Sequence, residues 1–358
     1  MSGAPLRAGV VGLGWAGVTH AEAYAGLPGV EVHALAAQEP ERLAAVGDRL
    51  GVPHLHTDWE DLVARDDLDV VSVAAPNWLH DRIAVAALEA GKHVLCEKPL
   101  ALDAARGRSM VDAAVAADRV LWTVFNHRER GDVRTLRRYV DEGGLGRIYH
   151  VKAAWTRRRH TVGDTWFIRR DRSGGGPLID LGVHMLDLVL HLMDEPVVTR
   201  ASGFTHAELV PASIAAAGGD PAGYEVEDLA GGMLRTRSGA SIYLEASWAL
   251  HAPISGNEMA VTLHGTKGAA TLVIKDYAPA GVLQISTDVA GTPAETFPVV
   301  PRGGGHSDVV EKFVTAVRSG EWGAHRGVEG LRRSIIVDAL YRSAEKDEEV
   351  DVADEGEA

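Results

Sequence analysis

Asp180, His184, Asp187 and His191 recur at intervals of four, three and four in the run GGGPLIDLGVHMLDLVLHL, residues 174–192. On an α-helix those intervals place all of them on one narrow face. Nearly everything between them is apolar: Leu181, Val183, Leu186, Leu188, Val189 and Leu190. Imidazole has an ordinary pKa of about 6.5, which suits a general base near neutrality. His184 is therefore the leading proton acceptor, with Asp180 one turn away to orient the ring or hold a hydroxyl. The same stripe fits the solvent edge of an amphipathic helix, and spacing alone leaves both readings open. Asp187 and His191, further along, suit a structural role better. An Asp/His cluster also raises the question of a metal, but these intervals demand no ligand geometry and none is assigned.

A second chemical feature lies near the N-terminus. Gly12, Leu13, Gly14, Trp15, Ala16 and Gly17 follow a short apolar run and open a helix-like stretch. Without Cβ atoms at Gly12 and Gly14, the backbone can turn tightly and approach a pyrophosphate, whose charge then meets the first amides of the helix. The alternative is a tight turn with close helix–strand packing; the strand–helix context favours dinucleotide binding. NAD binders usually carry an acid about 20 residues on, at the end of the second strand, for the ribose 2′-hydroxyl. Here that strand ends Ala36-Ala37-Gln38-Glu39, so Ala37 and Gln38 occupy the expected place and Glu39 falls a turn too late. The missing acid removes a repulsion against a 2′-phosphate, yet no arginine stands beside it. NAD and NADP both stay open, with the balance tilted to NADP.

The elements that would position these groups follow from bulk pattern. A chain of 358 residues is long for one hydrophobic core, so two domains are expected. No run of 18 or more apolar residues occurs, which predicts no membrane span. The opening MSGAPLRAGVVGLG reads as a first strand and not as a signal peptide. A single cysteine, Cys96, excludes an intrachain disulfide and fits a cytoplasmic setting; it reads as a packed core thiol. The net charge of −14 argues against nucleic acid as a partner. Half of it sits in the tail Glu345–Ala358, which has eight acids and one lysine and is expected to fray in solvent.

Through residue 126, β-branched runs (RAGVVGLG, VEVHALAA, LDVVSVAA, KHVLCE, RVLWTVFN) alternate with helix-like stretches, Asp103 standing where an N-cap should be. That alternation predicts a doubly wound parallel sheet. From residue 127 to 345 the pattern turns to period-2 strands with glycine-containing turns (RSGA, GTKGA), which suggests an antiparallel meander closed by two helices that can pack back on the first domain. Residues 346–358 form the acidic tail.

Several local motifs occur together: the glycine loop followed by His20, Ala75-Pro76-Asn77 with His80, AGKHVLCEKPL (90–100), Phe125-Asn126-His127-Arg128, and the GGG…D…H stretch. In this combination the chain resembles the Gfo/Idh/MocA oxidoreductases from about residue 7 to 345. The resemblance implies an α/β protein with an N-terminal Rossmann domain and a C-terminal domain built on a large, open, mainly antiparallel sheet. Such proteins oligomerise through that sheet, so a homodimer or homotetramer is expected. It implies an NAD or NADP cofactor, held by the glycine loop, by Ala75, Pro76 and Asn77 with His80 and Glu97 beside them, and by Asn126 near the nicotinamide. It also assigns Lys98, Asp180 and His184 to catalysis.

The implied chemistry is hydride transfer between nicotinamide and a secondary alcohol or ketone of a sugar, amino sugar or cyclitol. Lys98, at a strand end, would place positive charge beside the oxygen that becomes alkoxide-like. Arg128, Trp155, Arg157 and Trp166 are expected to line the substrate pocket with Lys98, Asp180 and His184. Arg158, Arg159 and His160 continue the same strand, where a solvated edge or a subunit contact explains the charges equally well. Two other readings stay open. One is a sugar enzyme that oxidises and then re-reduces its substrate with no net NAD(P)H; the other is a dinucleotide-binding sensor without turnover.

Overall fold

The computed structural model describes residues 4–159, 165–254 and 256–352. His160 and the end of the acidic tail lie outside the described residues. The chain separates into two compact units: residues 1–126 with 305–334, and residues 127–304 with 335–358.

The first unit is built on six parallel strands: β1 (Leu6–Val11), β2 (Val30–Ala36), β3 (His54–His56), β4 (Val70–Val73), β5 (His93–Cys96) and β6 (Leu121–Thr123). Their order is β3-β2-β1-β4-β5-β6. Every residue of β4 and β5 is buried, as a sheet covered on both faces requires. The helices are α1 (Trp15–Ala25), α2 (Pro40–Leu50), α3 (Trp59–Val63), α4 (His80–Glu89) and α5 (Ala104–Ala116). Strand order reverses between β1 and β4, and the loops leaving those two strands are the glycine loop and Ala75–Asn77, at the switch point where doubly wound sheets bind ligands. The short β3 was not anticipated, because HLH carries no β-branched residue.

The second unit is organised by nine strands. They are β7 (Ile148–Arg157), β8 (Val198–His206), β9 (Leu229–Thr236), β10 (Ser241–Ser247), β11 (Asn257–Gly265), β12 (Gly268–Lys275), β13 (Val282–Val289), β14 (Thr292–Thr296) and β15 (Val350–Asp351). They run in the order β14-β13-β12-β11-β7-β10-β9-β8-β15. Alternation is plain in β11 and β12: Met259, Val261, Leu263, Ala270, Leu272 and Ile274 point inward, while Glu258 and Thr262 do not. Two expectations need correction. The sheet is not a pure meander, because β7 and β10 pair in parallel, with Ala246 opposite Trp155. The acidic tail is not wholly frayed either, since Val350 and Asp351 pair with Ala201 and Arg200 of β8.

Helices α6 (Gly131–Asp141), α7 (Arg170–Ser173), α8 (Val183–Leu192) and α9 (Leu209–Ala216) belong to this unit. In α8 every residue except His191 is buried, in a core that includes Val151, Trp155, Val261 and Leu263. A helix apolar nearly all round is a core helix, so its polar seam is not a solvent edge. The turn before it, Leu178–Gly182, is π-helical, so Asp180 stands off the regular α spacing expected of it. The remaining helices are α10 (His306–Ser319), which belongs to the first unit, and α11 (Val328–Lys346).

Asp103 caps α5, its Oδ1 accepting the Arg106 amide at 2.8 Å. Asp103→Ala is expected to lower stability by about 1 kcal/mol, read as an earlier urea unfolding midpoint with an unchanged slope.

Candidate active site

The glycine loop divides by what each glycine faces. Gly12 has φ +87°, its amide donates to the Ala36 carbonyl at 2.8 Å, and a Cβ there would lie 2.4 Å from the Ala74 oxygen. A Cβ on Gly17 would lie 1.8 Å from the Gly12 oxygen. Both positions are closed by the protein itself, and Leu13 is buried in the core. Gly14 is different. It precedes α1, no side chain caps the helix there, and a Cβ on it would meet nothing within 4 Å. The open ground above uncapped helix amides is what a pyrophosphate needs, so these residues fit a dinucleotide. Trp15 is exposed beside it. Ala37, which follows the second strand, is buried, while Gln38 is exposed.

His80 and Glu97, expected beside the cofactor, are both turned inward. The His80 ring is buried, with Nδ1 2.8 Å from the Pro99 oxygen and Nε2 2.8 Å from the Ala75 oxygen. It braces two loops against each other, and burial lowers its pKa below the usual imidazole value. Glu97 is buried as well; its Oε1 meets the Nε2 atoms of His20 at 3.1 Å and His306 at 3.3 Å, and its Oε2 accepts the Lys98 amide at 3.2 Å. Burial by itself raises the Glu97 carboxyl, but the two histidines outweigh it and hold the group well below the ordinary carboxylate range. Lys98, half-buried, follows at the end of β5 and precedes a cis bond to Pro99. Asn126 closes this segment of the unit.

In the second unit His184 is buried within an aromatic box. Its ring lies 4.9 Å from that of His127, edge to face, and 5.5 Å from that of Trp155. Trp155 is fixed by its indole N–H, which donates to Asn257 Oδ1 at 2.6 Å. Asp180, on the π turn, accepts the indole N–H of Trp248 at 2.9 Å. Arg157 lies over the rings of Trp155 and Tyr277 and donates to the Tyr277 hydroxyl. Trp166 stacks on Phe167 with 3.9 Å between ring centroids.

Arg128 is tied to α8: its Nε and Nη2 donate to the two oxygens of buried Asp187, at 2.9 and 2.5 Å. The glycines before the π turn have causes inside the protein. A Cβ on Gly175 would collide with the Tyr341 hydroxyl, and one on Gly176 with the Glu227 carbonyl. They admit internal neighbours. Glu227 in turn accepts the amides of Gly176 at 2.9 Å and Leu178 at 3.2 Å and the Tyr341 hydroxyl at 2.8 Å, and burial raises its pKa.

Sequence reasoning did not select Trp248, His127, Glu227 or His306. His127 stood in the quoted FNHR run; the other partners are distant in sequence and left no local signal.

A doubly wound domain with an open glycine turn, followed by a domain presenting an Asp/His pair, defines a dinucleotide-dependent oxidoreductase architecture. Residues 6–125 match the family model described as Oxidoreductase family, NAD-binding Rossmann fold, and residues 133–271 match the GFO/IDH/MocA C-terminal domain. The chain belongs to the Gfo/Idh/MocA oxidoreductase family. It is similar to the D-glucoside 3-dehydrogenase of Escherichia coli (strain K12), with 32% identity over 96% of this chain and 97% of the relative. The levoglucosan dehydrogenase of Pseudarthrobacter phenanthrenivorans (strain DSM 18606 / JCM 16027 / LMG 23796 / Sphe3) is 29% identical over 97% of this chain and 98% of its own. A solved structure of a levoglucosan dehydrogenase in complex with NADH and levoglucosan superposes with a TM-score of 0.85 at 26% identity, covering 98% of this chain and all of that one. Among the described residues, no helix is long and apolar enough to cross a membrane.

Gly14→Ala separates fold from cofactor. With nothing for the new methyl to touch, the melting temperature is expected to stay at the wild-type value, while the NADH Kd from fluorescence titration rises about tenfold or more as the methyl occupies the pyrophosphate ground.

Proposed function

We propose that this protein transfers hydride between a nicotinamide dinucleotide and a secondary hydroxyl or ketone of a sugar, amino sugar or cyclitol. The observation that carries the reading is the Asp180/His184 pair. Both groups are held by indoles or walled by aromatic rings, in a chain whose full-length relatives include a glucoside and a levoglucosan dehydrogenase.

The cofactor supplies the hydride acceptor; the chain's residues bind, orient and move the proton. Gly14 and the first amides of α1 would hold the pyrophosphate. His184 takes the hydroxyl proton during oxidation and returns it during reduction. Asp180, already fixed by Trp248, accepts a hydrogen bond from the same hydroxyl or its neighbour. Lys98 contributes positive charge as alkoxide character develops, an attraction worth more where water is excluded. The face of Trp155 suits the apolar C–H side of a sugar ring. At the adenosine end, Ala37 and uncharged Gln38 leave room for a ribose 2′-phosphate, and we propose that NADP is accepted along with NAD.

Two measurements test this. In a panel of glucosides, levoglucosan and inositols, Lys98→Ala and His184→Ala are each expected to lower kcat by about a hundredfold or more while NADH Kd stays within about twofold. Wild-type turnover in both variants overturns the assignment. Ala37→Asp adds a carboxylate at the ribose and is expected to shift the ratio of NAD to NADP kcat/KM toward NAD by about tenfold.

A further inference from the structure

We propose that His306 is a positioning residue for Lys98, acting through Glu97. The inference rests on the reading of Lys98 as the charge-bearing group of the reaction.

His306 is the first residue of α10, and its side chain is nine-tenths buried. The helix that delivers it is firmly seated. Val309, Val310, Phe313, Val314 and Val317 enter the first unit's core, and Arg318 at the other end donates to the carbonyls of Pro28 and Gly29 at 3.0 and 2.8 Å. From that seat the His306 ring faces two parts of the candidate site. Its Nε2 lies 3.3 Å from Glu97 Oε1, and its plane receives Trp15, the residue after Gly14, at 5.0 Å between centroids and an interplanar angle of 89°.

Donor bookkeeping around Glu97 shows why one ring matters. Both His20 and His306 offer Nε2 to the same carboxylate oxygen, which can only accept. His20 then carries a hydrogen on Nε2, and its Nδ1 lies 3.3 Å from the Ser72 hydroxyl oxygen. Ser72 in turn shares a hydrogen bond with the Tyr24 hydroxyl at 3.0 Å. The chain Tyr24–Ser72–His20–Glu97 thus ties the carboxylate to groups buried in the first unit. The remaining oxygen, Oε2, holds the Lys98 amide. One oxygen of Glu97 thus holds that amide, while two rings on the other fix where its carboxylate lies. Taking away His306 leaves Oε1 with a single ring donor and lets the carboxylate, and with it the Lys98 backbone, swing. A displacement of about 1 Å in a catalytic group can cost a hundredfold in rate.

The test compares three variants of the full chain. His306→Gln reaches to the same place and keeps an N–H donor; His306→Met fills the space without one; His306→Asn is polar but too short. For each we would measure kcat, NADH Kd, melting temperature and the rate at which acetic anhydride labels Lys98, the last by peptide mass spectrometry. The expected result is a fall in kcat of about tenfold or more for the Met and Asn variants, with NADH Kd within about twofold. In those two variants Lys98 labelling changes by about threefold or more, while the Gln variant stays near wild type on every readout. Unchanged kcat and labelling in the Met and Asn variants overturn the proposal. So does a parallel loss in all three that tracks melting temperature, which is the mark of a packing role. If the wild-type chain turns over no sugar or polyol, the reading of its function fails, and Lys98 labelling still decides whether His306 positions it.

Discussion

A carboxylate removed from water must be met by donors, and much of the local order around the candidate site follows from that requirement. Three buried acids meet it in three ways. Glu97 takes two imidazoles and the Lys98 amide; Glu227 takes two amides and the Tyr341 hydroxyl; Asp187 takes a two-pronged guanidinium from Arg128. Each acid pins a stretch that carries a candidate functional group: the end of β5 with Lys98, the π turn with Asp180, and α8 with His184. Losing one partner of such a buried charge costs about 3–5 kcal/mol, far more than a surface pair is worth. The acids therefore make the positions of their neighbours hard to vary, and that rigidity is what a catalytic group requires.

The glycines obey a complementary rule. Gly12, Gly17, Gly175 and Gly176 are glycine because protein atoms already stand where a side chain would go, so their absent Cβ atoms serve packing. Gly14 lacks that reason, since a Cβ there touches nothing. Two residue-identical positions in one loop thus have different physical causes. Only the one with no internal explanation points outward to a ligand.

The parts of the fold that were legible in the sequence rest on local signals. Period-2 and period-3.6 hydrophobic patterns located the parallel and the mainly antiparallel sheet, and Asp103 marked the start of α5 through a bond to an amide three residues on. The parts that were not legible rest on distant partners. Nothing near Arg128 announces that Asp187 will take both its nitrogens, and nothing near Glu97 announces His306. The π turn was missed for another reason. The amides that lead into it, of Gly176 and Leu178, are taken by Glu227 far along the chain, and LIDLG has no composition that distinguishes it from an α turn. A seam read at regular spacing consequently placed Asp180 and His184 on one stripe, although only His184 belongs to α8.

The parallel pairing of β7 with β10, absent from the meander expected of this region, explains how two such differently placed groups are still served together. Parallel neighbours finish at the same edge of a sheet. The register sets Ala246 opposite Trp155, so Trp248, two residues on and on the same inward face, emerges just past the partner of Trp155. One indole then reaches Asp180 through its N–H while the other stands beside the His184 ring. Had the strands been antiparallel, the residues after Ser247 would leave from the opposite edge, and Trp248 could not share an edge with Trp155. The π turn offsets Asp180 from the α8 stripe, and the parallel register supplies a second aromatic to meet it there; the two irregularities make sense only together.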